Sequence, residues 1–97
     1  MDNSKKTDEF YEKLKSQLYD TATWPSTYLY KFIVLTKSPG VNHIDSLFDN
    51  LGAVITTTES KNGKYTSVSI NVKMKTPEAV ITKYKEVTEN VEGVISL

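Results

Sequence analysis

The stretch S-K-N-G-K-Y-T-S-V-S-I-N-V-K-M, Ser60 to Met74, decides the fold of this chain. Asn62-Gly63 is a strong hairpin signal, because both central residues of a type I′ turn need positive φ, which Asn and Gly tolerate best. The strand that follows has unambiguous parity. Val68, Ile70, Val72 and Met74 point one way, and Ser67, Ser69, Asn71 and Lys73 the other. One face of the hairpin is therefore buried and the other polar.

Working outward, Ala53 to Ser60 supplies the first hairpin strand and Tyr65 to Lys75 the second. Ahead of them, T-Y-L-Y-K-F-I-V-L-T (Thr27 to Thr36) is β-branched, aromatic and almost continuously apolar, which suits a central strand. Ser38-Pro39-Gly40 stops it. Asn42 is then placed to cap a helix, with Asp45 as the capping-box acid. Ile44, Leu47, Phe48 and Leu51 recur at i, i+3, i+4 and i+7 on its buried face, and Gly52 suits the C′ position. After the hairpin, Thr76-Pro77-Glu78 reads as a cap, a first-turn proline and a first-turn acid. Val80, Ile81, Tyr84, Val87 and Val91 form that helix's buried stripe. Gly93 separates it from a last strand, Val94 to Leu97.

The N-terminal end is different. Residues 1–7 are polar and expected to fray. Thr7 can cap a helix over residues 8–19, whose stripe is Phe10, Tyr11, Leu14 and Leu18. Asp20 to Pro25 breaks the pattern, and Trp24 before Pro25 is biased toward extended backbone. The chain thus divides into an N-terminal amphipathic helix with linker, residues 1–25, and a core domain, residues 26–97. The core order β-α-β-β-α-β predicts an α+β, ferredoxin-like sandwich: a four-stranded antiparallel sheet ordered 4-1-3-2, with two helices on one face.

Composition narrows the chemistry. Ninety-seven residues with 38% hydrophobic and 25% charged content make one domain with a core that needs no disulfide. Twelve acids balance twelve bases, so net charge offers no field toward nucleic acid or anionic membrane. All twelve bases are lysine, and without arginine there is no bidentate phosphate or carboxylate fork. Cysteine is absent, which removes thiol catalysis, thiolate metal sites, iron–sulfur clusters and disulfides. The start M-D-N-S-K-K-T-D-E lacks the apolar region of a signal peptide, and no apolar run approaches a membrane span. A cytoplasmic location, no membrane and no nucleic-acid partner are the expectations.

W-P-S-T-Y-L-Y-K-F, N-G-K-Y-T-S-V-S-I and the terminal V-E-G-V-I-S-L resemble the YbeD-like family of small bacterial proteins of unknown function. The resemblance covers roughly residues 24–97, rests chiefly on the G-K-Y-x-S-V-S core, and implies an ACT-like ferredoxin fold. Separately, S-P-G-V-x-x-I-x-x-L-F-x-x-L-G-A-V-I, Ser38 to Ile55, is similar to the first strand–helix unit of ACT domains, where a Pro-Gly turn leads into the helix. Those domains are regulatory modules that bind amino acids at domain interfaces. The acid that often precedes Pro-Gly there is replaced here by Lys37-Ser38.

No catalytic constellation is visible, and the chain reads as a non-enzyme without cofactor or metal. His43 is the only imidazole and reads as a solvated surface residue, since general acid–base work needs an orienting partner. The acids show no metal-ligand loop spacing. An RNA-binding sheet would need aromatic rings among Ser67, Ser69, Asn71 and Lys73, and acylphosphatase chemistry would need arginine. Two functions stay open. One is a regulatory or adaptor domain working through protein–protein contact, its surface built from Phe10, Leu14, Leu18, Leu29, Ile33 and Leu35. There the N-terminal helix covers the sheet face carrying Leu29, Ile33 and Leu35, within one chain or across a homodimer. The other is a sensor of an amino-acid-like molecule at Ser38, Pro39, Gly40 and Asn42, at a subunit interface, where helix N–H groups offer donors.

Overall fold

The computed structural model describes residues 3–96 and contains α1 (Asn3–Thr21), β1 (Ser26–Leu35), α2 (Gly40–Leu47), β2 (Val54–Glu59), β3 (Tyr65–Met74), α3 (Pro77–Asn90) and β4 (Ile95–Ser96). The four strands form one antiparallel sheet in the order β2-β3-β1-β4, which is the predicted order. The fold is α+β and ferredoxin-like, with α1 added.

Register explains the layers. Tyr30 lies opposite Ile70 and Phe32 opposite Val68, all four fully buried. With Val34, Val72 and Met74 they meet Ile44 of α2, Phe48 at its C-cap, and Val80, Ile81, Tyr84 and Val87 of α3. Because side chains alternate along a strand, the intervening residues leave the sheet on its other face. Leu29 lies opposite Asn71, Lys31 opposite Ser69 and Ile33 opposite Ser67. The predicted parity holds at every position of β3.

Helix α3 begins as its sequence dictates. Thr76 is extended, its hydroxyl accepts from Ala79 N–H at 3.1 Å, and Pro77 follows in the first turn. Helix α2 does not. It starts at Gly40 rather than after Asn42, which lies inside the helix with its carbonyl accepting from Ser46 Oγ. The Ser38 hydroxyl accepts from Gly40 N–H at 3.2 Å, so a first-turn donor is satisfied before Asn42 is reached. At the other end the chain unwinds: Asp49 N–H donates to Ser46 O and Leu51 N–H to Phe48 O, both spanning three residues. Asn50 takes positive φ two residues ahead of Gly52. This turns Leu51 outward, against the expectation that it joins the buried face.

The hairpin turn also differs in type. Gly63 has φ +73°, but Asn62 keeps an ordinary φ. Gly63 N–H donates to Ser60 O at 2.8 Å and Ser60 N–H to Tyr65 O at 2.7 Å, giving a four-residue loop, 61–64. The Asn62 carboxamide oxygen accepts from Lys64 N–H and Ser60 Oγ, each at 3.0 Å, and that side-chain bridge replaces the second left-handed residue.

The largest departure concerns α1. It begins at Asn3, so Thr7 falls within the helix instead of capping it. Tyr11 is buried, and Leu14 and Leu18 pack on the same core from the flank of α3. The Tyr11 ring lies 6.3 Å from that of Tyr84, and Tyr19 donates to Glu78 at 2.6 Å. Phe10 points away and is 62% exposed. Within the chain, then, α1 extends the helical layer and leaves Leu29, Ile33 and Leu35 uncovered. Its stripe packs toward α3, where Tyr11 meets the Tyr84 ring. Among the described residues, no helix is long and apolar enough to cross a membrane. The expected last strand is reduced to two residues, and Leu97 lies outside the described ones.

Candidate functional site

Two surfaces gather the residues singled out from sequence. The first is a hollow of about 430 Å³ beside the β1–α2 turn, lined by Leu35, Ser38, Pro39, Gly40, His43 and the segment from Asn90 to Gly93. Three elements build it. Ser38 Oγ donates to Leu35 O at 2.7 Å while accepting from Gly40 N–H, which folds the turn back on the strand end. Gly40 is then forced so close to β1 that a Cβ there would lie 2.8 Å from Val34 Cγ1. The third wall is the end of α3, where Gly93 at φ +72° redirects the chain toward β4.

Of the predicted ligand residues, Ser38, Pro39 and Gly40 line this hollow and Asn42 does not. His43, Asn90 and Glu92 join them, and sequence reasoning missed the last two. Their proximity depends on how α3 ends against α2, which no local spacing announces. The Asn90 Nδ2 donates to Glu86 O at 2.7 Å, which leaves its carboxamide oxygen as an acceptor. The hollow therefore offers acceptors at Asn90 and Glu92, an imidazole at His43 and an apolar wall at Leu35. Among the described residues, no three His, Cys, Asp or Glu side chains come together as metal ligands.

The second surface is the open sheet face. Leu29 is 51% exposed, Leu35 49%, Val54 63% and Ile95 52%, with Tyr65 beside Leu35 in the register. Rows of small polar residues, Ser67, Ser69, Asn71, Thr56 and Thr58, run between them. Of the six residues expected to form one interaction surface, Leu29, Ile33 and Leu35 share this face, while Phe10, Leu14 and Leu18 belong to α1 on the other side.

The buried tyrosines serve the core. Tyr30 donates to Val80 O at 2.9 Å and tethers the middle of β1 to α3. Tyr28 and Tyr84 hydroxyls lie 2.9 Å apart. Burial pushes the Tyr30 hydroxyl pKa upward, helped by Tyr84 and Tyr28 nearby. Burial raises Tyr84 in the same way, with the Tyr28 hydrogen bond adding to it. Neither group ionises at neutral pH, and neither reaches a surface where it could act on a substrate.

Residues 20–95 match the family model described as "Protein of unknown function (DUF493)", and the chain belongs to that family. Helix α1, up to residue 19, lies outside the matched span. No curated protein sequence matches the chain. Among solved structures, the ACT domain from GTP pyrophosphokinase of Chlorobium tepidum is similar, with a TM-score of 0.51 over 74% of this chain and 100% of that chain, at 15% identity. The likeness is one of fold. It bears out the ACT-like ferredoxin architecture, while the family match bears out the expectation of a family of unknown function.

Proposed function

We propose that this chain is a non-catalytic regulatory or adaptor domain that works through protein–protein contact on the open face of its sheet. One observation carries the reading: Leu29, Leu35, Val54 and Ile95 each remain about half exposed or more, and among the described residues no element covers them. A solvent-facing sheet ordinarily alternates apolar-in with polar-out, and large apolar side chains on the outer side favour contact with another surface. The helical layer, α1 included, seals the opposite face, so among the described residues no helix is left to cover the open one. The ACT-like fold agrees with a regulatory module.

The experiment is a double substitution, Leu29→Ser with Leu35→Ser. Both side chains are exposed, so stability should move by less than about 0.5 kcal/mol each. Particle mass by sedimentation and recovery of bound protein by affinity purification are compared with wild type and with His43→Ala. Loss of the association in the double variant alone supports the reading. Wild-type mass and partners in the double variant overturn it.

A second reading rests on the hollow beside Pro39-Gly40: a sensor of an amino-acid-like molecule. Helix α2 presents its N-terminus there, and Asn90 and Glu92 supply acceptors suited to an amine. A ligand that binds the native state must raise the melting temperature. A screen of amino acids giving a rise that His43→Ala or Glu92→Gln abolishes supports this reading, and a flat screen removes it.

A further inference from the structure

The zero net charge conceals a separation of charge between the two layers. Residues 26–37 and 53–76, which build β1, β2 and β3 with their turns, hold Lys31, Lys37, Lys61, Lys64, Lys73 and Lys75 against a single acid, Glu59. Six lysines against one glutamate give +5, and the remainder of the chain carries the balancing −5. All six lysines are exposed. Register sets Lys31 opposite Ser69 and Lys73 opposite Thr27, on the open face. Glu59 lies opposite the buried Thr66, so its side chain leaves on the helical side.

Nothing described within the chain neutralises these lysines. The ion pairs among the described residues, Lys15–Glu12 at 3.2 Å and Lys83–Glu86 at 2.6 Å, both lie in helices. The open face is thus apolar at Leu29, Leu35 and Val54 and cationic between and around them. A partner that covers it takes lysines partly out of water, and that costs free energy unless acids receive them. Lysine stems can lie along the apolar residues while their ammonium groups reach the rim. Nucleic acid fits less well. The outward positions of the strands offer one aromatic ring, Tyr65, where single-stranded nucleic acid needs a series of stacking platforms.

We infer that the open sheet face docks an acidic protein segment in which apolar side chains alternate with Asp or Glu. This rests on the reading of that face as the contact surface. The test uses the full chain and three synthetic peptides of about ten residues, with Leu alternating with Glu, Gln or Lys, followed by amide NMR shifts.

The Glu peptide should bind tightest, with shifts centred on Leu29, Lys31, Leu35, Tyr65 and Lys73. Its Kd should rise on the order of tenfold between about 20 and about 200 mM salt, as the screening length falls from roughly 20 Å to roughly 7 Å. Lys31→Glu with Lys73→Glu should weaken it on the order of tenfold, and Lys13→Glu on α1 should not. Equal binding of all three peptides at the face overturns the acidic partner and leaves the contact reading standing. Shifts confined to the helical layer overturn both. No binding of the Glu peptide, or tighter binding of an oligouridylate or of phosphatidylglycerol vesicles, overturns the acidic partner. So does salt-sensitive self-association through the same face, which would make a second copy the occupant.

Discussion

Gly40→Ala adds one methyl group at the point where α2 rests on β1. Two effects oppose each other there. Alanine is the better helix former by about 0.5–1 kcal/mol, and Gly40 does not occupy the left-handed region, so backbone preference alone predicts a more stable protein. The added Cβ, however, would sit 2.8 Å from Val34 Cγ1 and 2.9 Å from Val34 Cβ. Val34 is itself fully buried in the core, opposite the buried Thr66, so it has little room to move. Overpacking of this kind costs about 1–3 kcal/mol. The net expectation is a loss of about 1–2 kcal/mol, which for a domain of this size lowers Tm by roughly 4–16 °C. Urea melts of the wild type, Gly40→Ala, Val34→Ala and the double variant measure it. Shortening Val34 makes room for the methyl group, so the double variant should lose less than the two single losses combined, by about 0.5–2 kcal/mol. A Gly40→Ala protein as stable as wild type, or more so, would refute the close approach of α2 to β1 and with it the shape of the hollow.

Ile70→Ala, at the centre of β3, should cost about 2–5 kcal/mol by denaturant melts, whereas Ser69→Ala on the open face should stay within about 0.5 kcal/mol. Adjacent aromatics on α1 should behave oppositely in thermal melts: Tyr11→Ala should cost about 2–4 kcal/mol and Phe10→Ala almost nothing. The hydrogen bond donated by the Tyr19 hydroxyl holds the Glu78 carboxyl below the usual glutamate range. A lowered folded-state pKa means that the stabilisation is present at neutral pH and lost as pH falls through that value. Carboxyl NMR should therefore show Glu78 titrating low in wild type and returning toward the ordinary range in Tyr19→Phe, with the two proteins' melting temperatures converging in acid.

How much was legible in the sequence depended on whether the deciding interaction was local. The parity of β3 is written in alternate residues, and the start of α3 in Thr76-Pro77, because both are settled within a few residues of chain. The stripe of Tyr11, Leu14 and Leu18 likewise says that α1 must pack. It does not say on what, and α3's Tyr84 is more than sixty residues away. Asn42 has the residue type of a cap, but the helix starts earlier, with Pro39 in the cap position and the Ser38 hydroxyl accepting from Gly40 N–H. The hollow was half visible, as Ser38-Pro39-Gly40, since its other wall at Asn90 and Glu92 arrives only with the tertiary fold. Charge separation escaped entirely, because a sum over the chain discards the layer on which each lysine stands.

Trp24 joins α1 to β1, its indole N–H donating at 3.0 Å to Leu18 O, one of the carbonyls that a helix end leaves without a partner. It is also the only tryptophan in the chain. Its half-buried ring therefore makes intrinsic fluorescence a local probe of that junction rather than of the protein as a whole. Detachment of α1 would frees the indole into water and shift its emission to the red while the sheet's circular dichroism stays intact. Global unfolding would move both signals together, so a single unlabelled sample can distinguish undocking of the added helix from loss of the domain.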